Sequence, residues 1–374
     1  MFSSSPFARQ PWRGLMGTAF IVFIALVISS SQNMDTFGGI FTLLTMSFIP
    51  MLAVICNVWH TQFPSTENIK QPWKGLLLLF FIIIYGILVT YAIRNFMCGG
   101  VPQPVGNLYA TMVVMTMFFF VVAFDTWPYQ KMPLPARGFL TLVTVYVLAW
   151  IFLRLFNFSM LSYPTGVNPS PGAVPFYAPG GPFEAFASIA PTGPLPWEMA
   201  VAFIMWAVII MWSLVMLGMW PFSKFKLPQP LFGLAVLATC LALSFVLYKI
   251  VVDTLHVEPL MWLNYGVCYC FGIFMIMMML QMWPGRLVSP VLGGALNLLL
   301  CVGIGALANK LVWAFCYWHF GETMAYPNGV FAAAGVMLGL SFPMWGAYGD
   351  LFEFWPMPAP AGAEPVASEA EATE

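Results

Sequence analysis

The densest groups of chemistry-bearing residues in the chain are two polar stretches flanked by apolar runs. KIVVDTLHVEP carries Lys249, Asp253, His256 and Glu258, and NKLVWAFCYWHFGETMAYPNG carries Asn309, Lys310, Cys316, His319 and Glu322. Imidazoles with carboxylates beside them are the residue types that bind a divalent metal or relay protons. Asp253, His256, Glu258, His319 and Glu322 are therefore the proton-relay or metal candidates. His-x-Glu and His-x-x-Glu are short, common spacings, and a solvated loop with ordinary ion pairs accommodates them equally. The sequence lacks His-Glu-x-x-His, and with only 3 histidines a three-His site would need His60 from the opposite face. Gly-x-Ser-x-Gly, a P-loop and a dinucleotide fingerprint are also missing, so no catalytic residue is singled out and no cofactor is expected.

A second group is defined by position. Arg94, Arg154, Lys249 and Lys310 stand near the outer ends of long apolar runs, and Asn57, Asp125, Gly218, Gln281 and Glu353 each stand two residues before a tryptophan at the opposite ends. Arranged around a common axis, these positions would form a cationic outer ring and a partly acidic inner one, which could filter ions or hold an anion. Arg94, Asp125, Arg154, Lys249 and Lys310 are thus the candidates for a substrate or ion path, with Asp125 or the acids at 253 and 258 available for proton coupling. The competing reading is snorkelling, in which long basic side chains at helix ends reach for headgroups.

The elements that must position these residues follow from composition. Hydrophobic residues make up 61% of 374, charged residues 7%, and the mean hydropathy is +0.86, far from the roughly one-quarter charged residues of a soluble domain. Ten runs are long enough to cross a bilayer, at 14–31, 37–59, 74–96, 107–127, 138–157, 197–220, 231–252, 260–283, 291–316 and 326–350. The chain therefore reads as an all-α, multi-pass membrane protein with about ten transmembrane helices. The first run follows Arg9 and Arg13 and ends in three serines, as a signal peptide would, but it opens with the punctuation of the later hairpins and is counted as a span. A net charge of -1 gives no reason to expect nucleic-acid binding. The seven cysteines lie mostly in apolar runs, where a thiol acts as a small hydrophobe.

Loop charge sets the orientation. Arg9, Arg13, Lys70, Lys74, Lys131, Arg137, Lys224, Lys226 and Arg286 fall on one side, which the positive-inside rule makes cytoplasmic, with both termini inside a plasma (inner) membrane. The other side carries the long Pro/Gly-rich connection 158–196, functional or a plain spacer. The acidic tail 356–374 has the composition of a disordered segment.

Pro-x-x-Gly recurs at 11, 72, 135, 230 and 290, and the runs that follow in pairs end at Trp59, Trp127, Trp220, Trp283 and Trp355. These markers divide residues 1–355 into five tandem two-helix hairpins, 11–59, 72–127, 135–220, 230–283 and 290–355. Two inverted five-helix halves joined by the long loop are the alternative, a pattern of secondary transporters. Gly38-Gly39, VGN at 105–107, NYG at 264–266 and PNG at 327–329 could mark broken helix starts. Pro343 predicts a kink, and the run MIMMMLQMW with Cys268 and Cys270 reads as packing rather than as a copper site.

Three functional classes remain: a transporter or channel for a small solute, an anion being one candidate; a non-catalytic membrane subunit or scaffold binding protein partners, lipid or pigment; and an enzyme acting on a lipid-soluble substrate. The expected partners are the lipid bilayer and a small molecule or ion, with a homo-oligomer or a partner membrane subunit left open.

Overall fold

The structure is a computed structural model and describes residues 8–63, Thr66, 68–162, 174–324 and 328–357. The acidic tail beyond residue 357, the middle of the long loop and Pro327 of the PNG triplet lie outside the described residues.

Among the described residues, ten helices are long and apolar enough to span a bilayer: α1 Trp12–Ser30, α2 Met34–Val58, α3 Trp73–Met97, α4 Pro104–Ala123, α5 Leu134–Leu153, α6 Trp197–Met216, α7 Leu231–Thr254, α8 Pro259–Met279, α9 Pro290–Met324 and α10 Asn328–Leu351. The expected all-α multi-pass class is the observed one. α4, α6 and α8 end four residues before the expected 127, 220 and 283, and two further boundaries differ for identifiable reasons. α5 stops at Leu153 because the following backbone turns to pair with the long loop, where β1 (Phe156–Asn157) runs parallel to β2 (Leu195–Pro196). α9 holds 31 α-helical residues before a final 3₁₀ turn. At about 1.5 Å per residue this exceeds the ~30 Å hydrocarbon core.

Burial separates the helices into two layers. In the most apolar windows of α2, α4, α6, α8 and α10, 50–72% of residues are buried, against 28–39% in α1, α3, α5, α7 and α9. Each even helix packs against the next even helix, and α10 returns to α2, closing an inner ring of five. The odd helices lie outside it, each on the even helix that precedes it in the cycle: α3 on α2, α5 on α4, α7 on α6, α9 on α8 and α1 on α10. Their outward faces are aliphatic and aromatic, with Phe80, Leu88, Val143 and Leu299 all more than half exposed, as a lipid-facing surface requires.

The starts of the odd helices explain the recurring glycines. Each tucks against the end of the even helix two hairpins earlier in the cycle. A Cβ at Gly14 would meet Met279 and Leu280, at Gly75 Phe352, at Gly138 Trp59, at Gly233 Phe124 and at Gly294 Met216 and Leu217. In the last hairpin the close approach is therefore made by Gly294, one position beyond the Pro-x-x-Gly glycine.

The middle of the inner ring is filled. Phe118 of α4 lies 5.3 Å from Trp212 of α6, 6.0 Å from Phe274 of α8 and 5.7 Å from Phe342 of α10, ring centroid to ring centroid. Phe274 and Phe342 approach to 4.2 Å. α4 is not a ring neighbour of α8 or α10, so these contacts reach across the centre. Pro343 sits just after a π-helical turn, Gly335–Leu340, which supplies the slack in the hydrogen-bond ladder that a mid-helix proline needs.

Candidate functional sites at the two rims

At the rim where the odd helices start and the even helices end, three glutamines hold the rings together. Gln10 Nε2 donates to the Met279 carbonyl at 2.9 Å, Gln71 Nε2 to Leu351 at 2.7 Å and Gln229 Nε2 to Ala123 at 2.8 Å. Each acceptor is the last residue of α8, α10 or α4, whose terminal carbonyls have no partner within the helix. Each Gln oxygen accepts from the amide of its own hairpin's glycine, Gly14, Gly75 or Gly233. One side chain thus satisfies an odd helix at its start and an even helix at its end. The signal was present as Gln-Pro-x-x-Gly, but reading from the proline onward misses it.

The acidic rim positions are ion-paired. Asp125 Oδ1 accepts from Arg137 at 3.1 Å and Asp125 Oδ2 from Gln130 at 2.7 Å, while Glu353 Oε1 pairs with Lys74 at 3.1 Å. Arg13 donates to the Glu353 carbonyl and stacks on Phe354. The first hairpin is out of register with the tryptophan marker: left-handed pairs occur at His60–Thr61, Asp125–Thr126, Gln281–Met282 and Glu353–Phe354. His60, not Asn57, therefore matches Asp125, and Trp59 takes the place of Phe124, Leu280 and Phe352.

The outer candidates are held locally. Arg94 Nε donates to the Gly100 carbonyl at 2.8 Å, in the turn just past the end of α3. Lys249 pairs with Asp253 one turn on at 2.6 Å, and Lys310 is exposed on the surface of α9. Glu258 caps the start of α8 by accepting from Leu260 and Met261. His256 lies in a left-handed turn, His319 contacts the Gln32 carbonyl at 2.7 Å, and Glu322 lies in the last turn of α9. No group of three His, Cys, Asp or Glu side chains converges on a metal-sized point among the described residues.

The helix-breaker readings separate. Gly38 and Gly39 lie in a π turn with a non-helical residue at Gly39, and the Gly38 carbonyl accepts from Asn107 at the start of α4. Asn264, by contrast, is buried inside α8 and donates to Asn309 of α9 at 3.3 Å. Met275 and Met279 are buried packing residues.

Arg154 differs from the other outer cations. Its guanidinium carbon lies 4.1 Å over the Trp150 ring, and the side chain borders a cavity of about 210 Å³. Phe96 and Met97 of α3 form one wall, Trp150 and Leu153 of α5 another, and Ser188, Ile189 and Pro191 of the long loop the roof. The roof is fixed by backbone bonds from Phe158 to Pro191 (2.7 Å), Gly193 to Phe156 (3.0 Å) and Leu195 to Leu155 (3.0 Å). Deeper between α3 and α5, Tyr85 donates to Tyr146 at 3.0 Å, and Tyr109 of α4 donates to the Tyr146 carbonyl at 3.0 Å. Beside the cavity, burial pushes the Cys98 thiol up to about 11. Sequence reading offered Arg154 and the loop separately; their meeting depends on the chain turning back at residue 155.

No family model, no curated protein and no solved structure matches this chain.

Proposed function

We propose that the chain is a non-catalytic membrane subunit or scaffold that acts through its surfaces, not through a pore. The observation that carries this reading is the aromatic contact of Phe118, Trp212, Phe274 and Phe342 across the middle of the inner ring. Aromatic rings packed this closely leave no room for a hydrated solute. The ion-paired acids at the inner rim and the local engagement of Arg94 and Lys249 fit the same reading, since a path would call for these charges to face a lumen.

The asymmetry of basic loop residues supports a plasma (inner) membrane location with both termini in the cytoplasm. The glycine contacts and left-handed turns, with the glutamine geometry common to three of the five starts, support five hairpins copied from one unit, in place of two inverted halves.

Transport is the second reading, and one observation favours it: α2 and α10 are neighbours and both are interrupted, at Gly39 and Pro50 and at Gly335–Leu340. Discontinuous helices recur at transporter sites. Purified protein reconstituted in liposomes distinguishes the two. A scaffold leaves anion and small-solute flux at the protein-free rate, whereas a transporter raises it saturably.

A further inference from the structure

We propose that the outer cavity between α3 and α5 is a binding site for a phospholipid with an anionic headgroup, its phosphate held by Arg154 and its acyl chains lying along the apolar outward faces of the two helices. The proposal is independent of whether the protein conducts.

Arg154 is chemically available. Arg94 spends its guanidinium on a carbonyl at its own helix end, but the Arg154 guanidinium makes no ion pair or hydrogen bond among the described residues. Between Arg154 and Trp197 the only carboxylate in the sequence is Glu184, and its Oε2 already accepts from the Gly180 amide at 2.8 Å. The guanidinium carbon sits 4.1 Å over the Trp150 ring, and a guanidinium presents its N–H donors as a fork that suits a phosphate. Ser188 in the roof adds a hydroxyl donor.

The surroundings select a lipid over a free anion. The walls beside Arg154 are Phe96 and Trp150, 86% and 45% exposed, which a small hydrated anion would not cover. Eight residues before Arg154 on α5, about 12 Å further into the helix, the Tyr85–Tyr146 hydrogen bond joins α3 to α5. Val147 and Ile151 of α5 and Leu88 of α3 are exposed apolar side chains on the outward faces along this length. A charge at headgroup level above an apolar outward surface is complementary to an anionic phospholipid, with the Trp150 ring at the interface depth that tryptophan favours.

Native mass spectrometry of the detergent-solubilised full chain, titrated with phosphatidylglycerol, tests this. The wild type retains the lipid, Arg154→Gln binds it about tenfold more weakly, Arg154→Lys recovers part of the loss, and the cytoplasmic control Arg286→Gln binds as wild type. Gel filtration of every variant verifies that it is folded. Equal retention by Arg154→Gln overturns the proposal, as does equal retention of phosphatidylcholine by the wild type. Displacement of phosphatidylglycerol by millimolar inorganic phosphate shows a free-anion site and overturns the lipid assignment.

Discussion

The side chain of Gln71 joins positions 280 residues apart: its nitrogen donates to the Leu351 carbonyl at 2.7 Å while its oxygen accepts from the Gly75 amide at 3.3 Å. Gln71→Leu removes both bonds and leaves two backbone groups unpaired in a crowded rim. Each unsatisfied group costs roughly 1–3 kcal/mol, so thermal unfolding in detergent should move to lower temperature. Gln10→Leu and Gln229→Leu should act in the same direction, because the geometry is the same.

Gly233 and Gly303 should respond oppositely. A Cβ at Gly233 would lie 2.5 Å from the Phe124 ring, while Gly303 has nothing within 4 Å. Gly233→Val forces the α7–α4 contact apart and should lower the folded yield. Gly303→Ala should be neutral or stabilising by about 0.5–1 kcal/mol, the entropic cost of glycine in a helix. Fluorescence-detected gel filtration reads both.

The Arg137–Asp125 pair should matter little. The Asp125 side chain is 64% exposed, and such rim pairs are worth about 1 kcal/mol or less. Asp125→Asn should therefore leave unfolding nearly unchanged. A loss several times larger would mean that the residue has a role its exposed ion pair does not account for.

Cys98 gives a pH signature. Its thiol is raised from 9.0 to about 11 by burial. Below pH 9 both folded and unfolded forms keep the proton, and the stability is fully present. As pH rises from 9 towards 11 the unfolded chain releases the proton first, so stability falls across that window. Cys98→Ser should flatten the decline, measured as midpoint against pH.

Orientation can be read by cysteine accessibility. Met160→Cys lies in the long loop and Lys226→Cys in a basic loop. In right-side-out vesicles a membrane-impermeant maleimide should label the first and not the second. The reverse pattern would invert the topology.

Much of the architecture was legible because bilayer length and hydropathy leave a 20-residue apolar run few alternatives. The glycines at the starts of the odd helices were legible too, since glycine is required where α3 or α7 meets a phenylalanine ring. The register of the first hairpin was not, because Trp59 imitates the terminal tryptophans while occupying the place of Phe124. Nor were the partners of the polar residues. Asp125 and Arg137 are only 12 positions apart, yet nothing in their spacing distinguishes an ion pair at the rim from a charge facing a path. Lys74 and Glu353 meet only through closure of the ring.

The most direct test of the central claim is solute flux through the purified chain in sealed liposomes, compared between wild type and Phe342→Ala. Closure of the ring by aromatic packing predicts that wild-type vesicles match protein-free ones for chloride, nitrate and small neutral solutes, with any leak confined to Phe342→Ala. Saturable, solute-selective flux in the wild type would contradict the claim and assign the interrupted helices α2 and α10 to a transport path.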